Sequence, residues 1–189
     1  MRILALISLV LSLAAAELPF KPPAAYACDI AFTDGKQKMA GRMFVGAADR
    51  QRMEIKADGE SMVMIMRQDQ KKMHMLMVDD KMAMSMALNP KQAPVGSQAV
   101  NDPNSTWKKT GSETINGVAC DRYEFASKDG NGIAWIDAKQ GVMVRTKDAD
   151  GKGQADFTNY KIGAQKAELF EVPKDYQVMP GMGGMMGGQ

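Results

Sequence analysis

Residues 53–86 read MEIKADGESMVMIMRQDQKKMHMLMVDDKMAMSM, and their spacing decides the fold. Methionine falls on every second position in three consecutive runs, Met62/Met64/Met66, Met73/Met75/Met77 and Met82/Met84/Met86. A period of two places alternate side chains on one face of a β-strand. Turn residues separate the runs: Asp58-Gly59, the Gln68–Lys71 loop and Asp79-Asp80. Each turn fixes a hairpin register. The first pairs Ala57 with Glu60, Ile55 with Met62 and Met53 with Met64. The second pairs Met66 with Met73, Met64 with Met75 and Met62 with Met77. The third pairs Met77 with Met82, Met75 with Met84 and Met73 with Met86. The result is a three-by-three methionine grid on one face, edged by Met53 and Ile55. A three-residue turn at 47–49 brings Met39 and Met43 to the same face.

Working outward, the same alternation and further turn dipeptides, Asp34-Gly35, Asp129-Gly130 and Asp150-Gly151, run through the mature chain. No window shows a helical period, so the class is all-β, with at most a minor helix and with consecutive strands paired antiparallel. Residues 88–106 hold three prolines and no periodicity. They read as a linker between an N-terminal meander of six strands and a C-terminal one of four or five. Residues 25–178 thus form one domain. Arg52, Glu54 and Lys56 point away from the methionines, which makes the methionine face the inner one. The outer face of the grid carries Val63, Ile65, Leu76 and Ala83 with His74 and Ser85, apolar enough to need a cover, for which the linker is the nearest segment.

The amino terminus has a positive residue at Arg2, an apolar stretch from Ile3 to Leu13 and small residues at Ala14–Ala16. This is a secretory signal peptide, cleaved near Ala16, and it implies a periplasmic or secreted protein. A Pro-rich lead-in at 17–24 follows. At the other end, residues 179–189 form a flexible Met/Gly tail.

Composition narrows the function. Among 189 residues, 24 Lys+Arg face 22 Asp+Glu, a net charge of +2 that gives nucleic acid no footprint. One histidine and two cysteines are poor material for catalysis. His74 has no acidic partner identifiable by spacing, and the reading is of a protein that is not an enzyme. The segment DADGKGQAD at 148–156 lacks the glutamate of a calcium loop, since the twelfth position is Asn159. Trp107 and Trp135 read as core or cavity-wall residues.

Methionine, 18 of 189 residues, is the unusual feature. Met39, Met43, Met53, Met62, Met64, Met66, Met73, Met75, Met77, Met82, Met84 and Met86 make a deformable apolar surface, and three readings of it stand open. It is a packed core; or it receives a lipid, an acyl chain of a lipoprotein or another hydrophobic molecule; or its thioethers hold copper(I) or silver. Met179, Met182, Met185 and Met186 of the tail are the other copper(I) candidates. Otherwise no cofactor is implied, and a structural envelope protein without a small ligand is the remaining alternative. Peripheral contact with the membrane or with envelope proteins fits each reading, and the oligomeric state is not legible.

An oxidising compartment favours pairing Cys28 with Cys120. The expected faces oppose it: Cys28 turns inward opposite Gly41, whereas Ala119, Tyr123 and Phe125 are the inner set of their strand and turn Cys120 outward. The bond is left open.

Four segments together, residues 31–86, WKKTGSETINGVACDRYEF at 107–125, GIAWIDAKQGVMVRTKDADGK at 132–152 and LFEVPKDY at 169–176, resemble a family of secreted bacterial proteins known as a domain of unknown function. That family is related to the LolA/LolB-like superfamily of periplasmic lipoprotein carriers. The resemblance implies a strongly curved antiparallel sheet, an unclosed half-barrel around an apolar cavity that takes acyl chains in the carriers. The long amphipathic helix that follows the carriers' signal peptide is missing from this sequence.

Overall fold

The computed structural model describes residues 18–35, 37–47, 49–57, 60–88, 100, 102, 104–128 and 130–180. The expected signal peptide at 1–16, most of the expected linker, residues 58–59 and residues 181–189 lie outside them. Twelve strands follow in chain order: β1 Tyr26–Asp34, β2 Gln37–Gly46, β3 Arg50–Ala57, β4 Glu60–Arg67, β5 Lys72–Met77, β6 Met82–Ala87, β7 Thr106–Ile115, β8 Val118–Ser127, β9 Gly130–Asp137, β10 Met143–Asp148, β11 Gly153–Ile162 and β12 Gln177–Pro180.

All belong to one sheet, in the order β12-β6-β5-β4-β3-β2-β1-β11-β10-β9-β8-β7. The two meanders expected from the turns are therefore β1 to β6 and β7 to β11, joined by antiparallel pairing of β1 with β11. The sheet does not close, and the architecture is the expected unclosed half-barrel. Every pair of the methionine grid forms in the register that the turns dictate, from Ala57 with Glu60 to Met73 with Met86. Local turn chemistry suffices there because each hairpin sets its own alignment.

Three features depart from expectation. Cys28 pairs with Met43, and it is Ile30 that stands opposite Gly41; the slip is two residues, which leaves the face unchanged. The last strand, β12, is parallel to β6 and includes Met179 and Pro180, which the sequence assigns to the tail. The cover over the outer face is the C-terminal segment: a 3-10 turn at Ala167–Phe170 and the residues after it cross β2, β3 and β4. Phe170 is 2% exposed and packs with Val63, Ile65, Leu76 and Ala83, while Leu169, Val172 and Tyr176 close around them. Gly46 makes room for it, since a Cβ there would lie 2.6 Å from the Phe170 ring.

Polar ties hold this strap. Arg67, 4% exposed, grips Asp69 with two bonds of 2.8 and 2.7 Å and donates to the Phe170 carbonyl at 3.3 Å and to the Glu171 carboxylate. Arg52 Nη1 donates to the Leu169 carbonyl at 3.1 Å. Such charge-assisted bonds leave few donors of a buried guanidinium unpaired.

The C-terminal half fills its inner face with aromatics. Phe20 of the lead-in meets Trp107 at 5.2 Å and Tyr123 at 5.7 Å between ring centroids, and Trp107 stacks on Phe125 at 5.0 Å. Trp107 is thus a wall residue of the inner face. Trp135 points the other way, where it is buried with Cys120, Ile115 and Val144.

Candidate functional site

The inner face of β1, β2 and β3 floors a cavity of about 350 Å³. Tyr26, Ile30, Met43, Val45 and Phe157 line it from the sheet, with Met143 beside them. Pro22, Pro23 and Ala24 of the lead-in border it, as does Val100 at the end of the linker. Alternation explains the sheet residues: Tyr26 and Ile30 are inward positions of β1, and Met43 and Val45 of β2. A pair of prolines suits the lead-in, because two fixed φ angles hold an extended segment across a sheet without needing hydrogen-bond partners for their nitrogens. Asp49 and Gln51 add the polar groups of the rim.

One wall is tied down by a tyrosine. Between Ala27 and Asp29 the β1–β11 register shifts, and this bulge accompanies the inward turn of Tyr160. Its hydroxyl donates to the Met143 carbonyl, and its ring lies 5.4 Å from that of Tyr26. Burial pushes the Cys28 thiol up to about 12 and raises both tyrosine hydroxyls. These groups stay neutral, so no charge lies behind the apolar part of the wall, and Asp49 is the one ionisable carboxylate among the lining residues.

The methionine residues divide. Met43 alone of the twelve lines the cavity. Met53 is buried beside it, and Met64 packs on the same cluster. Met39 stands opposite Phe32 and borders a smaller hollow with Asp148 at the other end of β1. The nine residues of the grid, Met64 among them, continue the inner face across β4, β5 and β6. Met66 and Met73 are buried there, Met62 is 42% exposed, and Met64, Met75, Met77, Met82, Met84 and Met86 are half-buried. Sequence reasoning missed Tyr26, Ile30, Val45 and Phe157, whose alternation was visible, because methionine drew the reading toward the grid.

The register aligns sulfur across the sheet. Cys28 pairs with Met43, Met43 with Met53, Met53 with Met64, Met64 with Met75, Met75 with Met84, and Met84 with Met179. Seven adjacent strands thus place a sulfur-bearing residue in one continuous row. Met182, Met185 and Met186 lie outside the described residues.

Cys28 and Cys120 are free buried thiols. Cys28 belongs to the inner-face cluster and Cys120 to the outer-face cluster around Trp135. Four strand spacings, about 19 Å of sheet, separate β1 from β8, whereas a disulfide needs Cα atoms within about 7 Å.

His74 and Ser85 pair on the outer face, with Nδ1 and Oγ 2.7 Å apart. Burial, with the Lys72 and Arg67 charges added, holds the imidazole below its ordinary pKa. No carboxylate is bonded to this histidine among the described residues, and the pair lies beside the strap. Among the described residues no group of three His, Cys, Asp or Glu side chains is placed to hold a metal ion.

In solved structures the same fold recurs. An uncharacterized conserved protein from Thermus thermophilus superposes with a TM-score of 0.62 at 12% identity, over 84% of this chain and 91% of that one. The Pseudomonas aeruginosa MucA/MucB complex contains a match with a TM-score of 0.51 at 12% identity, over 82% of this chain and 58% of that one. A LolA superfamily protein from Nitrosomonas europaea gives 0.45 at 10% identity, over 80% and 92%. For the first two, at such identities, the likeness is one of fold. No curated protein matches the sequence at a significant level. The sequence itself carries the family: residues 28–141, the greater part of the sheet from β1 to β9, match the domain of unknown function DUF4412, and the chain belongs to that family.

Proposed function

We propose that this is an envelope protein of binding or carrier type, working in the periplasm or outside the cell, that takes the end of an acyl chain or a similarly slender apolar molecule. The observation that carries the reading is the cavity of about 350 Å³ on the inner face, lined mostly by apolar side chains with Asp49 and Gln51 as its polar groups. That volume lies at the small end of ligand sites, suited to part of a chain rather than to a whole lipid. Each buried methylene contributes about 0.8 kcal/mol, before the cost of ordering the ligand is subtracted. Beyond the cavity mouth, the half-buried thioethers of β4 to β6 offer a surface that reshapes around whatever protrudes. The secretory signal at 1–16 supports the location, and the fold shared with a chain of the MucA/MucB complex is consistent with a binding role. No catalytic step is part of the proposal.

The test uses delipidated mature protein and a fluorescent fatty acid. Wild type should bind with a dissociation constant in the micromolar range, on the order of −8 kcal/mol. Val45→Trp, which fills the cavity from its floor, should weaken uptake about tenfold or more while the circular dichroism spectrum stays that of wild type. Unchanged uptake by the folded variant sinks the proposal.

A further inference from the structure

We propose that Met75, Met84 and Met179 form a site for a soft monovalent metal ion, copper(I) or silver(I), where the edge strand β12 pairs with β6. This goes beyond the proposed carrier role and stands or falls separately from it.

Register is the first observation. Met75 pairs with Met84, and Met84 with Met179. Directly paired residues share a face, and their Cβ atoms lie about 5 Å apart. Met75 and Met179 flank Met84, about 10 Å from each other across two strand spacings. Methionine is long, unbranched and flexible, so the two outer side chains, extended toward the middle one, can bring the three sulfurs to about 4 Å from one another. That is the separation required by three sulfurs bound at roughly 2.3 Å, an ordinary metal–sulfur bond length, around one trigonal ion.

Access is the second. All three residues are half-buried, whereas Met53, Met66 and Met73 are at most 3% exposed. An ion arriving from water reaches the former set and not the latter. Cys28 ends the same row on the far side, is 1% exposed, and its buried neutral thiol does not compete.

The third is the make-up of the donors. Thioethers are neutral and soft, which favours copper(I) over zinc, calcium or magnesium. An uncharged ligand set on an apolar face suits an ion of one positive charge better than a divalent one, whose desolvation costs far more. Harder metals find no triad of His, Cys, Asp or Glu among the described residues.

The fourth concerns β12 itself. It is four residues long, parallel to β6, and reached after the strap has crossed the outer face of β2 to β6. Burial does not account for its composition, since its outer-facing Val178 is 54% exposed. Its inner-facing residues are Gln177 and Met179, and the methionine stands at the end of the sulfur row. Leucine would pack there as well; sulfur is what methionine adds.

The experiment titrates the reduced, full-length mature chain with copper(I), without oxygen and against the chromophoric competitor bicinchoninate. One ion should bind per chain, with affinity flat from about pH 5 to pH 8 because a thioether has no proton to lose. Met→Leu changes nearly conserve volume, so M75L/M84L/M179L should fold as wild type and bind about a hundredfold more weakly. M66L/M73L, on the buried side of the grid, should stay within about twofold of wild type. Truncation after Pro180 should do the same, because it removes Met182, Met185 and Met186 but keeps the proposed ligands. Wild-type affinity in the triple variant overturns the proposal, as does loss of binding on truncation, which would move the site into the tail.

Discussion

Strands β4, β5 and β6 present two faces built on one backbone, and the faces differ in kind. One carries Val63, Ile65, Leu76 and Ala83, all at most 6% exposed beneath Phe170. The other carries the methionine grid, most of it half-buried. Backbone, turns and strand propensity are common to both, so the contrast isolates what each face is for. Where the chain closes on itself it uses branched aliphatic side chains, whose few rotamers specify one packing. Where it stays partly open it uses thioethers, which pack adequately and adapt. This internal control weighs against the reading of the grid as an ordinary core, since the same strands show what the chain uses when it builds one.

Breaking the aliphatic face should have the largest effect. Phe170→Ala removes the ring seated on Gly46 and should cost about 3–5 kcal/mol in urea unfolding; a loss below about 1 kcal/mol would mean that the strap does not depend on this ring. Next comes Arg67→Met, which deletes the ties to Asp69, Glu171 and the Phe170 carbonyl. A loss of about 1–2 kcal/mol is expected by the same measurement, because the Phe170 carbonyl loses its donor whereas Asp69 and Glu171, both partly exposed, regain water. Limited proteolysis should then cut the strap between residues 163 and 176 before the sheet.

The thioether face should respond in the opposite manner. M64L/M75L/M84L should change stability by less than about 1.5 kcal/mol, although it reshapes the surface beyond the cavity. A much larger loss would show this face to be as tightly specified as the aliphatic one, and the contrast between them would fail.

The smallest expected effect concerns His74. Its pKa is lowered by burial first, then by the charges of Lys72 and Arg67, with Glu171 opposing. Below about 6.5, the ordinary value, the unfolded chain binds a proton that the folded chain resists. The stability present above that value should therefore decline as pH falls toward the lowered folded value. Urea midpoints measured between pH 7.5 and pH 5 should show this decline in wild type, and it should be shallower in His74→Gln. Equal slopes would mean that other groups govern this range.

How far the sequence could be read varied with the distance between interacting residues. The grid register was legible because each hairpin is closed by its own turn, a few residues from the pairs it aligns. The inward side of Cys28 was legible for the same reason, and even a two-residue slip preserved it. The cover that the structure shows over the outer face was not legible because it lies a hundred residues away from β4, at Phe170, and no local rule connects them. The sequence did contain Phe170, Val172 and Tyr176 in a patterned segment, but nothing in that pattern says which face receives it. Cavity residues such as Tyr26 and Phe157 were hidden differently: their alternation is plain, but a cavity arises only where β1, β2 and β11 curve past one another.

By itself, then, the sequence determined the strand class, the two meanders and the methionine grid, since period-two alternation and turn residues act over a few positions and need no distant partner. Only the tertiary structure decided that β1 and β11 join the meanders, that four strand spacings separate the cysteines, that the strap seals the aliphatic side, and that Met179 completes a row of sulfur begun at Cys28. Each of those depends on which of many sterically equivalent long-range contacts buries the most apolar surface for the entropy of closing its loop, a balance set by the whole chain at once.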